Sequence, residues 1–321
     1  MKKITKNLLY PFLPFFDILY IPFIFLASIV MLCYKRIGSK SFLFCTKMLR
    51  SIGVVPVYNH YYDPFYKSID PNLHKSRFLL SELFCSKSQL NLLSQFTYKD
   101  DFQIFLDNIC LHENSFKSLN NGSFEHGDAE ILFNFVKHFK PQNVIEIGCG
   151  FSTKIIQAAL GANFDTKKLF THTCVEPFEQ NWLESYPDIN LIRDKVENLS
   201  LDYFSRLKSG DFLFIDSSHI IKPNGDIIFE YINILPKLNS GVFIHIHDIF
   251  TPFDYPLHWF NQHNLFWNEQ YVLEAILSNS NRYKILFGNN FMHKLHFTEF
   301  CTLAPGLTKN SNPGSIYLQV Q

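Results

Sequence analysis

No CxxC pair occurs in this chain, although it holds seven cysteines, at 33, 45, 85, 110, 149, 174 and 301. The odd number and scattered spacing argue against a disulfide framework and against a structural zinc site. They predict reduced thiols in a cytosolic compartment. An excess of charge is missing too: 29 Lys+Arg face 29 Asp+Glu, a formal net charge of zero. No basic field is available to hold a phosphate backbone, so nucleic acid is not expected as the main partner. Internal repeats and low-complexity linkers are absent, which excludes a repeat array. What remains is a chain of 321 residues, long enough for one large domain or two small ones with a sizeable core. Its 35 phenylalanines read as a coding bias of the source and not as chemistry.

The first apolar run is "LLYPFLPFFDILYIPFIFLASIVMLCY", Leu8 to Tyr34, with Asp17 as its single charge. The 17 uncharged residues from Ile18 to Tyr34 sit at the short end of the roughly 17–25 needed to span a bilayer. An Asp at mid-span costs about 2.5–3.5 kcal/mol, so Asp17 is expected at the edge of the span. Lys2, Lys3 and Lys6 precede the run, and Lys35, Arg36, Lys40, Lys47 and Arg50 follow it. The larger second cluster favours a cytoplasmic C-terminal side. No small-x-small cleavage site follows the run, which speaks against a removed signal peptide. Pro11, Pro14 and Pro22 and the lack of polar residues speak against a buried core helix. Residues 1–34 are therefore expected to be a membrane anchor, either spanning or bent at its prolines into a one-sided hairpin.

Residues 35–118 form a mixed region. Helical spacing runs through 39–52 and 76–96, and "VPVYNHYYDPFY" (55–66) is an aromatic-rich loop with prolines. From about residue 119 to 321, helices alternate with short apolar strands. Helices are expected at 127–139 (stopped by Pro141), after the turn at "TKIIQAAL", and at 200–207, 226–238 and 270–279. Strands are expected at 143–148, 170–176, 189–194, 211–216, 241–250, 283–288 and 315–320. Seven strands interleaved with helices predict an α/β, Rossmann-like, doubly wound and mostly parallel sheet. The last two strands lack an intervening helix in this reading and could pair antiparallel.

"VIEIGCGFSTK" (144–154) closes the first strand with an acid, two glycines and the start of a helix. Gly148 and Gly150 let a ligand approach backbone N–H groups at a helix N-terminus. A dinucleotide turn reads GxGxxG, yet Thr153 stands at the third glycine. Glu146, aimed into the turn, would repel a pyrophosphate and suit a cation. S-adenosylmethionine carries an amino group and a sulfonium and no phosphate, so the charge pattern prefers it to NAD. Glu176, ending the second strand, can accept both ribose hydroxyls. Asp194, after the third strand, lies where an adenine edge or amine would fall.

On these residues the chain resembles a class I S-adenosylmethionine-dependent methyltransferase. It is most similar to a bacterial family grouped with the cephalosporin-hydroxylase-like and sugar O-methyltransferase-like enzymes. The resemblance rests on "HYYDPF" (60–65), "NGSFEHGDAEILF" (121–133), "VIEIGCGFST" (144–153) and "HTCVEP" (172–177). It also rests on "DFLFIDSSHIIKPNGD" (211–226), "LPKLNSGVFIHIHDIFTPFDYP" (235–256) and "WNEQYVLEAIL" (267–277). Cys149 stands where many relatives carry Ser.

The resemblance implies a cofactor site built from Glu146, Gly148, Cys149, Gly150, Ser152, Glu176, Asp194 and Asp216. Asp216 and His219, in "IDSSH", fall on the rim after the fourth strand, with His219 as candidate general base. Metal-dependent relatives bind a divalent ion with an acid after strand four and a carboxylate pair after strand five. By position the ligands here are Asp216, His247 and Asp248, for Mg²⁺ or Mn²⁺, with a histidine in place of one carboxylate. His245 alternates with His247, and one of the two is open to a packed, hydrogen-bonded role. Lys222 and Asp226 could help close the site, "NGSF" (121–124) could reach over the cofactor, and Asp128 reads as a helix-start acid. His60, Tyr61 and Tyr62 are a candidate substrate lid.

The resulting expectation is a methyltransferase anchored at the bacterial inner membrane with its catalytic domain in the cytoplasm. It would O-methylate a small molecule, a sugar or a lipid-linked glycan precursor. Two other readings stay open: an inactive scaffold that keeps the fold, and, less favoured, an NAD(P)-linked oxidoreductase.

Overall fold

The computed structural model describes residues 13–37, 41–53, 77, 83–112, 119, 121–164, 169–178, 180–263 and 265–321. The chain divides into two compact units, Met1–Ile69 and Asp70–Gln321. In the first, α1 (Leu13–Ile37) runs unbroken through Pro22. It is the one helix among the described residues long and apolar enough to cross a membrane, with mean hydropathy 2.3 over Leu13–Tyr34. A short helix, α2 (Leu43–Ser51), follows, and Tyr34 meets Thr46 by hydrogen bond and stacks on Phe42.

The described part of the second unit includes α3 (Ser86–Gln95) and α4 (Lys99–His112). Sequence spacing anticipates the first of these and misses the second. Phe102 of α4 is buried against Phe133 of α5 (Asp128–Phe139). α5 carries Asp128 and Glu130 in its first turn and Lys137 and His138 in its last, as the helix dipole favours. Lys140 in a left-handed conformation ends it, one residue before Pro141.

Then come β1 (Asn143–Ile147), α6 (Phe151–Gly161), β2 (Thr171–Val175), β3 (Asn190–Ile192), α7 (Asp202–Ser205) and β4 (Phe212–Ile215). α8 (Asp226–Ile228) continues as a π turn over Phe229–Ile234 and a 3₁₀ turn over Leu235–Lys237. β5 (Phe243–His247), α9 (Leu257–His263), α10 (Glu269–Asn279) and β6 (Tyr283–Gly288) follow. α11 (Asn289–Leu295), α12 (Phe297–Leu303) and β7 (Ser315–Val320) complete the unit.

The sheet order is β3-β2-β1-β4-β5-β7-β6. β1 to β5 pair in parallel, and β7 pairs antiparallel with both β5 and β6. The antiparallel pairing of the last two strands is as expected. The missing helix between them is a correction, since α11 and α12 both lie there. β4 and β5 are buried along their whole length, as central strands covered on both faces must be. Phenylalanine fills these layers: Phe135 of α5 packs on Phe212, Phe243 and Tyr317. Parallel order brings the carboxyl ends of β1, β2, β4 and β5 to one rim, where ligands bind in open α/β sheets.

Candidate active site

Gly148 shapes the rim. Its φ is +77°, and a Cβ there would lie 1.7 Å from the Asp216 carbonyl oxygen. Only glycine lets the β1 turn and the β4 end touch this closely. The contact is fastened on either side, by Asp216 N–H to Ile147 O (2.9 Å) and Gly148 N–H to Val175 O (3.0 Å). Gly150 differs. Its φ of −165° is ordinary extended backbone, and an added Cβ would meet no atom of the described residues within 4 Å.

A cleft of about 720 Å³ opens above this contact. Gly148, Glu176, Phe178, Val196, Asp216 and Asp226 are among its walls. Glu176 is held by two backbone donors, Cys149 N–H to Oε2 (3.2 Å) and Phe178 N–H to Oε1 (2.9 Å). Asp226 accepts from Ser218 N–H (2.9 Å) and Ser218 Oγ (2.7 Å). Four carboxylates line the cleft, those of Glu176, Glu197, Asp216 and Asp226, against the two ammonium groups of Lys195 and Lys222.

Glu146 does not line this cleft. Its carboxylate is fully buried behind the turn. It accepts from Ser152 Oγ (2.6 Å) and His172 Nε2 (2.8 Å), with Cys174 Sγ at 3.6 Å. Burial works against a charge on His172, but Cys174 and Glu146 hold the ring protonated, with its pKa raised to about 10. Glu146 and Ser152 thus shape the turn from within, and the Cys149 side chain packs inward with Cys174 and Leu183. Asp194 is exposed and accepts from Lys195 N–H and Asn198 Nδ2, both at 2.7 Å, while its neighbours Lys195 and Val196 reach the cleft.

Next to Asp216 lies a cluster of charge. His219 sits on the β4 loop at φ +58° and is buried. Its Nδ1 donates to Glu269 Oε2 at 2.7 Å, and its Nε2 lies 3.3 Å from Asp216 Oδ1 and 3.5 Å from Asp248 Oδ2. Burial opposes a proton on this ring, yet the carboxylates of Asp216, Glu269 and Asp248 hold its pKa well above the usual histidine value. Burial raises Asp248 to about 6, against the pull of His247 and His219. Glu269 starts α10, fifty residues on, and also accepts from Tyr231 Oη (2.8 Å). Trp267 covers His219 with ring centres 4.2 Å apart, and Trp259 meets Trp267 edge-on at 5.0 Å.

The expected set of Asp216, His247 and Asp248 is therefore not what the fold brings together. Ligand atoms of Asp216, His219 and Asp248 lie within 4.8 Å of one another. His247 Nε2 is 3.7 Å from Asp248 Oδ1 but donates to Ser123 O (3.3 Å), while Nδ1 pairs with Ser315 Oγ (3.1 Å). Phe124 of the "NGSF" loop stacks on the His247 ring at 4.6 Å. His245 is packed against Phe214, ring centres 4.3 Å apart, with neither ring nitrogen hydrogen-bonded to a described residue, and burial lowers its pKa strongly. Asp128 is buried and accepts from Asn289 Nδ2 (2.7 Å) and Gly314 N–H (3.1 Å). His60, Tyr61 and Tyr62 lie outside the described residues. Glu269 and Trp267 escaped sequence reasoning as site residues, although "WNEQ" places both in one short stretch.

Residues 145–249 match a family described as a methyltransferase domain. An uncharacterized protein of Archaeoglobus fulgidus is 26% identical over 176 residues, covering 50% of this chain and 76% of that one. The SAH-bound methyltransferase of Podospora anserina superposes with TM-score 0.41 at 15% identity, over 80% of this chain and 100% of the other. The SAH-complexed O-methyltransferase of Bacillus cereus gives TM-score 0.36 at 14% identity, over 69% and 91%. The matched segment runs from the first strand and its glycine turn to the acid rim after β5, and it carries Glu176, Asp216, His219 and Asp248. Residues 145–249 are thus similar to a methyltransferase domain, and they lie within the seven-stranded, mostly parallel sheet.

Proposed function

We propose that this protein transfers a methyl group from S-adenosylmethionine to a hydroxyl of a small molecule, a sugar or a lipid-linked glycan precursor, at the cytoplasmic face of a membrane. One observation carries the reading. The acid-lined cleft over the Gly148–Asp216 contact adjoins the Asp216–His219–Asp248 cluster. Four carboxylates against two ammonium groups favour a cationic ligand and disfavour a pyrophosphate, which counts against the oxidoreductase reading. Glu176, oriented by two backbone donors, is placed to accept ribose hydroxyls. SAH in the structures of Podospora anserina and Bacillus cereus belongs to those proteins; here the cofactor is argued from charge.

Methyl transfer is an in-line displacement, so the acceptor oxygen must be held about 3 Å from the sulfonium methyl. Its proton must also leave. Among three carboxylates His219 already holds a proton, which suits it to orient Asp216 and Asp248 and not to act as base. Asp216 and Asp248, joined by His219 once its Nε2 proton has left, would hold a divalent ion, which when bound would lower the acceptor hydroxyl's pKa. Trp267 and Trp259 form an aromatic wall beside the cluster, a surface that suits the C–H face of a sugar ring. The apolar helix Leu13–Tyr34 supports an anchor over residues 1–34, with residues 35–118 as a lid region and 119–321 as the catalytic domain.

The test is calorimetric titration of S-adenosylhomocysteine into the full chain in detergent, with and without Mn²⁺. Micromolar binding is expected, weakened at least tenfold in Glu176→Ala. Glu146 is a poor control because its loss leaves His172 and Ser152 without a buried partner. A folded protein that takes up no S-adenosylhomocysteine sinks the proposal and leaves the scaffold reading.

A further inference from the structure

Behind the glycine turn, on the side away from the cleft, four side chains of another kind converge. Sγ of Cys149, Sγ of Cys174 and a carboxylate oxygen of Glu146 lie within 4.8 Å of one another. His172 joins them, its Nε2 2.8 Å from Glu146 Oε2 and 3.6 Å from Cys174 Sγ. All four residues are buried. Absent CxxC spacing argued against zinc, but the fold builds the group differently. Glu146 and Cys174 are register partners across β1 and β2, His172 shares the face of Cys174 two residues away, and the turn swings Cys149 back over both.

The two contacts of Cys174 match the edges of a tetrahedron. Zinc–sulfur bonds of about 2.3 Å and zinc–nitrogen or –oxygen bonds of about 2.0–2.1 Å give sulfur-to-nitrogen or -oxygen edges of about 3.5 Å. The contacts from Cys174 Sγ to Glu146 Oε2 and to His172 Nε2 are both 3.6 Å. The Glu146–His172 contact must open by about half an ångström to reach the nitrogen–oxygen edge of about 3.3 Å, and His172 Nε2, which lies outside the 4.8 Å group of the other three, must close on Cys149 Sγ. His172 Nδ1 faces the side-chain amide of Gln157 at 2.9 Å, the outer partner a ligating imidazole needs, with the amide turned to accept.

We propose that Glu146, Cys149, His172 and Cys174 bind a thiophilic divalent ion, zinc above all. Two thiolates and an imidazole select zinc over magnesium, which separates this site from the oxygen-rich cluster at Asp216. Binding displaces three protons to solvent, the two thiol protons and the Nε2 proton of His172, and the ion restores two of those three charges, leaving the site one unit more negative. Four protein ligands leave no open position, which marks a closed structural site. Its effect reaches the cleft through one bond. The Cys149 N–H donates to Glu176 Oε2, so an ion that fixes Cys149 fixes the wall where Glu176 stands.

The test uses the full chain in detergent under reducing conditions, with Co²⁺ as probe and Zn²⁺ as competitor. The expected result is one equivalent of Co²⁺ with sulfur-to-cobalt charge-transfer absorption, displaced by Zn²⁺. Cys149→Ser and Cys174→Ser should each lose the band or weaken binding at least tenfold, while Asp216→Asn keeps it, since oxygen ligands give no such band. The unsubstituted protein decides the matter even if a serine variant fails to fold. No sulfur-to-cobalt band, a band that survives in both serine variants, or a Cys149–Cys174 disulfide found by thiol counting in the reduced preparation would each overturn the proposal.

Discussion

Replacing Gly148 by alanine should damage the fold far more than its size suggests. The added Cβ would sit 1.7 Å from the Asp216 carbonyl oxygen, roughly half the separation that a carbon and an oxygen tolerate without overlap. The β4 end must retreat by about 1.5 Å, which costs about 1–3 kcal/mol as overpacking. The left-handed backbone adds about 1–2 kcal/mol. The bond from Asp216 N–H to Ile147 O (2.9 Å) spans the same gap and is strained or lost, for about 1 kcal/mol more. A total of about 3–6 kcal/mol is expected, which lowers the melting temperature by about 6–24 °C for a unit of this size. Tryptophan fluorescence in urea is the assay, because Trp182, Trp259 and Trp267 all lie in the unit Asp70–Gln321. Gly150→Ala is the internal control, since its extended φ and open surroundings predict a change within about 0.5 kcal/mol. Equal midpoints for Gly148→Ala and the parent protein would refute the reasoning.

Gly150→Ala should still weaken S-adenosylhomocysteine at least tenfold in calorimetry if the ligand lies against the turn, and unchanged affinity would place the ligand elsewhere. Glu269→Gln removes the charge shared by His219 Nδ1 and Tyr231 Oη, and should cost about 1–3 kcal/mol in urea unfolding. It should also lower the His219 pKa seen by NMR, and an unmoved titration would show that Asp216 and Asp248 suffice. His126 donates to Glu130 Oε1 (2.7 Å), which holds its pKa above the ordinary value of 6.5. The stability this adds is fully present below pH 6.5 and is lost as pH rises through the folded pKa. Glu130→Gln should therefore trail the parent by about 0.5–1 kcal/mol at pH 5.5, and by less at pH 8.5. Equal gaps at both values would count against the pair.

Much of the sheet could be read from the chain, because strands buried on both faces leave unbroken apolar runs. "FLFI" is of that kind, "FIHIH" breaks its run with two buried histidines, and the acids that follow both mark the rim. α4 was missed although its signal was present: Asp100 and Asp101 open it, and Phe102, Phe105 and Leu106 carry its apolar face. The cluster around His219 could not be read. It depends on a left-handed backbone at His219 and on Glu269, whose backbone N–H reaches back to the His219 carbonyl oxygen. His247 misled for a physical reason. As the last residue of β5 it still obeys the pleat and faces Phe124 with His245, whereas Asp248, at φ +55°, has turned off the strand onto the rim. Glu146 misled likewise, because an acid within β1 alternates into the layer that α6 covers, toward Ser152.

The position of β7 between β5 and β6 sets the order in which this sheet can be assembled. Synthesis delivers β1 to β5 as a parallel block whose β5 edge has unpaired backbone groups. β6 emerges next but has no strand to join, since its place is on the far side of β7. Until residues 315–320 are made, the nascent sheet presents an apolar open edge of "FIHIH" to its surroundings, and the ribosome-bound chain is at its most vulnerable to wrong pairing.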